Sequence, residues 1–78
     1  MERNELLTQL EDLFRNILDT ETVNLTDKTT ANDVDGWDSL THIHLVVAIE
    51  KNFKIKFSSK EILSWKNVGE MMDSILNK

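Results

Sequence analysis

Ser39 lies in the run Asp35-Gly36-Trp37-Asp38-Ser39-Leu40, the segment whose residue types and order best allow chemistry. Gly36 lets the chain turn, Asp38 is suited to cap the free amides of a helix start, and Ser39 places a hydroxyl at the positive end of that helix. Unpaired N–H groups and the helix dipole favour a phosphate attached or bound at such a point. The same residues also read as a turn glycine, a cap, a helix-start serine and a first core leucine. Asp-Ser-Leu alone does not choose between these readings. His42-Ile43-His44 invites a metal site, but two residues apart on a helix the imidazoles point about 200° apart and cannot share an ion. With no Cys and no third ligand, no metal site is expected. No phosphate-cradling glycine loop, dinucleotide fingerprint or paired nucleophile and base is present, so no catalytic residues are assigned and the chain does not read as an enzyme.

The elements that must position Ser39 belong to a small chain of 78 residues with a formal net charge of -5. That length allows one domain, 1–78, with a thin core and an economical helical fold. The absence of Cys points to a reducing compartment, and a cytoplasmic protein is expected. The longest apolar run, Leu45 to Ile49, is five residues, so no membrane span is expected, and no signal peptide is visible at residues 1–5. Residues 1–38 carry 10 acidic and 3 basic side chains, whereas residues 39–78 carry 4 and 6. The overall acidity, and the lack of aromatic residues interleaved with the Lys51–Lys60 cluster, exclude nucleic acid as a partner.

Hydrophobic spacing divides the chain into helices. Leu6, Leu10, Leu13 and Ile17 recur at three- and four-residue steps and predict a helix over 5–18. Residues 19–37 have no period and are rich in Thr, Asn and Asp, so they read as a long loop anchored by Val23, Leu25 and Val34. A second helix is predicted over 39–53. Its apolar residues occupy most of the rim, which leaves a narrow exposed arc of Thr41, His44, Ala48, Lys51 and Asn52 edged by Leu40 and Val47. Phe53 to Phe57 reads as an extended loop tucking Ile55 and Phe57 inward. Ser58 with Glu61 predicts a capped short helix, and Asn67 with Glu70 starts a last one. Met71 and Met72 read as core filling, Trp65 as a core lid between the short helix and the last, and His42 as packed beside Ile49 and Phe53. The fold class is all-α: a four-helix bundle of three longer helices and one short one.

Trp37-Asp38-Ser39-Leu40, followed by Ile43 to Phe53, resembles the acyl carrier proteins and their carrier-domain relatives. The resemblance extends over nearly the whole chain: amphipathic first helix, long loop, Asp-Ser-Leu at the second helix, short third helix and a fourth. It implies a carrier whose Ser39 receives 4′-phosphopantetheine from coenzyme A through a separate phosphopantetheinyl transferase. The arm's thiol then holds acyl or aminoacyl groups as thioesters. A chain without Cys suits an imported sulfur.

The resemblance also implies a docking surface on the second helix for acyl- or aminoacyl-loading and synthase enzymes. The matching positions are Leu40, Thr41, His44, Val47, Ala48 and Lys51, with Asp38 read by the transferase. Two features depart from the fatty-acid-synthesis type: Trp37 replaces a small residue, and this helix carries Glu50 as its only acid. Both favour a dedicated carrier in polyketide, nonribosomal peptide or surface-glycan precursor assembly. The competing expectation is a small helical interaction module that docks through the second helix without a prosthetic group. Either way a monomer is expected, because four short helices use up the apolar positions.

Overall fold

The computed structural model describes residues 2–21 and 23–78. It contains four α-helices: α1 (Arg3–Leu18), α2 (Ser39–Phe53), α3 (Ser59–Ser64) and α4 (Val68–Leu76). The all-α class and the three-long, one-short pattern are as the spacing predicted, and α2 has the expected bounds. Helix α1 packs against both α2 and α4. Leu6, Leu10 and Phe14 of α1 meet Leu45 and Ile49 of α2 and Val68, Met71, Met72 and Ile75 of α4 in one fully or nearly fully buried core. Met71 and Met72 are therefore core residues, as read from their spacing.

Helix α1 begins two residues earlier than its apolar period suggests. Arg3 is held by partners distant in sequence: Asp27 at 3.2 Å, Asp73 at 2.7 Å and the Gly69 carbonyl at 3.2 Å. The loop between α1 and α2 is a working part of the bundle. Val23 and Leu25 are buried, and Leu25 N–H donates to the Glu11 carboxylate at 2.9 Å. The Thr29 and Asp27 carbonyls accept from Val68 N–H at 2.9 Å and Gly69 N–H at 2.8 Å, satisfying first-turn amides of α4 that have no partner within their own helix. Inside the loop a 3₁₀ turn, Ala31–Asp33, is closed by reciprocal bonds between Thr30 and Asp33.

Local signals account for the remaining ends. Ser58 Oγ accepts from Glu61 N–H at 3.1 Å, while the Glu61 carboxylate accepts from Ser58 N–H at 3.0 Å, forming the expected capping box. Asn67 caps α4 through Glu70 N–H at 2.9 Å. Phe57 and Ile55 pack against the core without forming a strand. Trp65 closes this end as a partial lid: its ring meets Phe57 edge-on at 4.9 Å and its Nε1 donates to Ser74 Oγ at 2.7 Å. No helix among the described residues is long and apolar enough to cross a membrane.

Candidate functional site: the start of the second helix

A turn and a reciprocal cap hold the start of α2. Gly36 has φ 86°, a left-handed conformation that costs other residues a steric penalty, and Trp37 N–H closes the turn on the Val34 carbonyl at 3.2 Å. This turn sends the Trp37 ring inward and leaves Asp38 outside. Asp38 Oδ1 accepts from the N–H groups of Leu40 and Thr41, both at 3.0 Å. Thr41 Oγ1 accepts in return from Asp38 N–H at 2.8 Å and donates to the Gly36 carbonyl at 2.7 Å. The Thr41 N–H above all, helped by its hydroxyl and by Leu40 N–H, holds the Asp38 carboxyl below the usual carboxylate range. Ser39, the first residue of α2, is exposed, and its Oγ has no hydrogen-bond partner among the described residues.

Behind Ser39 an open cleft of about 630 Å³ runs between α2, α3 and the start of α4. Trp37, His42, Ile43, Ile62, Leu63, Trp65 and Met71 line it, with Asp38 and Ser39 at one rim and Lys66 at another. His42 is half-buried, and the partners that fix its ring are two tryptophans. Trp37 Nε1 donates to His42 Nδ1 at 3.1 Å, and the imidazole meets Trp65 edge-on at 6.0 Å. Burial pushes the His42 pKa down, against an opposing effect of the Ile62 carbonyl. Trp37, read as a departure from the usual small residue, is buried and packs edge-on against Phe14 at 4.9 Å.

The exposed face of α2 is wider than the wheel suggests. Leu40, Ile43 and Val47 are 64, 58 and 43 % exposed, and Leu63 across the cleft is 84 % exposed. Ile43, expected inside, faces solvent because α3 has only six residues and cannot cover this side of α2. His44 and Lys51 are exposed as expected, and Ala48 is partly so. Thr41 is partly exposed, its hydroxyl engaged by the cap. Asp38 is both exposed and committed to the cap. No trio of metal-ligating side chains occurs among the described residues.

This arrangement offers a reachable primary hydroxyl on a rigid backbone, at the positive end of a helix and beside an open cleft. Among the described residues it is left exposed. The residues present therefore fit a phosphodiester-linked arm.

Comparison with known proteins agrees with this reading. A family model described as a phosphopantetheine attachment site matches residues 8–75, and the chain belongs to that family. A curated acyl carrier protein of Acidothermus cellulolyticus is 30 % identical over 99 % of this chain and 92 % of its own length. The solution structure of a holo acyl carrier protein from Geobacter metallireducens is 43 % identical, with a TM-score of 0.86 over 92 % of this chain and 83 % of its own.

The chain is accordingly a carrier protein of the acyl carrier type and not an enzyme. Its prosthetic group is covalent 4′-phosphopantetheine. Membership implies dealings with a phosphopantetheinyl transferase and with synthases in general. A docking module without a prosthetic group is not favoured.

Proposed function

We propose that Ser39 is the attachment residue, and that residues 1–78 act as a single carrier domain presenting acyl or aminoacyl thioesters to loading and synthase enzymes. One observation carries this reading: the Ser39 hydroxyl is exposed and unbonded at the head of α2, on the rim of the cleft. In the transferase, Ser39 Oγ would bond to the pantetheine-bearing phosphorus of coenzyme A as the pyrophosphate P–O bond breaks, releasing adenosine 3′,5′-bisphosphate, with the hydroxyl proton passing to that enzyme. When attached, the arm supplies the thiol that holds cargo. This chain's own contribution is to keep Ser39 presented. Asp38 and Thr41 hold the turn, Trp37 ties it to the core, and the N-terminal dipole of α2 favours the negative phosphate.

Asp38, Leu40, Thr41, His44, Val47, Ala48 and Lys51 mark the region where partners land, with Ile43 added by its exposure. Leu40, Ile43 and Val47 supply the apolar contact, Asp38 and Thr41 its backbone frame. The near absence of acids on this helix supports a dedicated pathway of the polyketide, nonribosomal peptide or surface-glycan kind. A cytoplasmic, monomeric carrier goes with it.

Intact mass before and after incubation with coenzyme A, Mg²⁺ and a broad-specificity transferase tests the reading, with Ser39→Ala alongside. Protein that starts unmodified is expected to gain one phosphopantetheine, and Ser39→Ala none. Because the chain has no Cys, titration should also find one thiol per modified chain and none before. Failure of folded wild-type protein to gain the group would overturn the assignment.

A further inference from the structure

The surface that lands on α2 has a chemistry that the structure specifies, given the reading of α2 as the docking helix. The apolar stripe Leu40, Ile43, Val47 does not end in neutral surface. At Val47 it runs into a shallow notch of about 350 Å³ bordered by Lys51, Lys54, Lys56 and Ile55. The one carboxylate of the notch, Glu50, accepts from Phe57 N–H at 2.9 Å through a single oxygen, so three ammonium groups stand against one negative charge there. None of the three lysines forms an ion pair or a side-chain hydrogen bond among the described residues. Lys54 is held at the end of α2 in the left-handed conformation, φ 57°, which sets where its side chain leaves the helix. Residues 39–66 contain five lysines and two acids, whereas residues 1–38 contain 10 acidic and 3 basic side chains. An acidic protein thus sets its exposed apolar stripe on its one cationic segment.

We propose that the partner surface recognised by α2 is an apolar protein ridge bordered by carboxylates, one of them seated among Lys51, Lys54 and Lys56. Three unpaired ammonium groups around one notch attract an Asp or Glu side chain and repel a basic surface, so the same residues select and reject. Steering of this kind weakens as salt shortens the range of the field. An anionic bilayer also offers negative charge to an apolar stripe. At the other end of the stripe, however, Asp35 and Asp38 would be pressed against its headgroups. A folded partner can place its own charges to suit both ends, and a uniform lipid surface cannot.

The test uses the holo chain, isotopically labelled, and two helical peptides of about 18 residues sharing one leucine stripe, flanked by Glu in one and by Lys in the other. Amide shifts are followed in a titration with each peptide, and with vesicles of phosphatidylglycerol as a third arm. The Glu-flanked peptide is expected to shift residues 40–56 saturably and at least tenfold more tightly than the Lys-flanked one. The double variant Lys51→Glu, Lys54→Glu, checked for unchanged helicity, should reverse that order. Equal or better binding of the Lys-flanked peptide overturns the proposal, as do saturable shifts located elsewhere, or none with either peptide. Binding to the vesicles alone also overturns it, in favour of a lipid surface. The intact mass of the same preparation reports whether Ser39 carries its arm, so a failure of docking chemistry is distinguishable from a failure of attachment.

Discussion

Trp37 Nε1 donates a hydrogen bond to His42 Nδ1 across 3.1 Å, with the two rings 25° from parallel. Trp37 precedes the Asp38-Ser39 turn, and His42 lies one helical turn beyond it. The bond therefore spans the attachment site from below. It requires a neutral imidazole, because a protonated ring has no lone pair to accept with.

The sign of the resulting pH dependence follows. Burial depresses the His42 pKa in the folded chain below its ordinary 6.5. The unfolded chain therefore takes up the proton first, and the stability this group contributes is complete above that value. It is lost as pH falls from about 6.5 through the folded-state pKa. Melting temperature should decline as pH falls below about 6.5. In His42→Gln that stretch should flatten, the remaining decline coming at the lower pH where Glu61 and Asp38 titrate. Circular dichroism melts at half-unit steps would check this.

Trp37→Ala removes the ring between Phe14 and His42 and opens a cavity, at a cost of about 3–5 kcal/mol. A chain of this length has on the order of 4–12 kcal/mol in all, so the variant should lose a quarter or more of its stability. Trp37→Phe keeps the edge-on contact but leaves Nδ1 of His42 without its donor, and should cost about 1–2 kcal/mol. Urea unfolding followed by Trp65 fluorescence would measure both.

Thr41→Val preserves shape while removing the hydroxyl that bridges Gly36 and Asp38. It should cost about 1–2 kcal/mol, or a fall in Tm of roughly 4–16 °C. Faster amide exchange at Leu40 and Thr41 should accompany it. Transfer of the arm to Ser39 should slow while the other helices keep their protection.

Gly69→Ala tests the seam between loop and α4. A Cβ there would stand 2.7 Å from the Asp27 carbonyl oxygen, backbone that cannot swing aside. The expected cost is about 1–3 kcal/mol, lowering Tm by roughly 5–20 °C. An unchanged melt would mean that the loop yields freely.

Much of this was legible in the sequence, and what escaped has a common cause. The stripe of α1 and the capping signs at Asp38, Ser58 and Asn67 are local, so they mark helices and place Ser39 at a helix head. Ile43 could not be placed, because an apolar wheel position shows only what could be buried. Whether a neighbour is long enough to cover it depends on α3, which is too short. The start of α1 at Arg3 and the pairing of Thr29 with Val68 depend on contacts across tens of residues, which leave no periodic trace. Trp37 reads as an oddity until Phe14 and His42 are seen on either side of it.

Helix α3 contributes no fully buried side chain; its own capping box, a 2.9 Å pair between Glu61 and Lys78 and the Ile62 carbonyl facing His42 hold it. The other three helices share one sealed interior that does not include it. Strength in this molecule is therefore unequally distributed. Few buried contacts hold one wall of the cleft beside Ser39, and opening it locally is expected to cost less than unfolding the three-helix core. The room next to the attachment point is thus bounded by the least buried helix of the four.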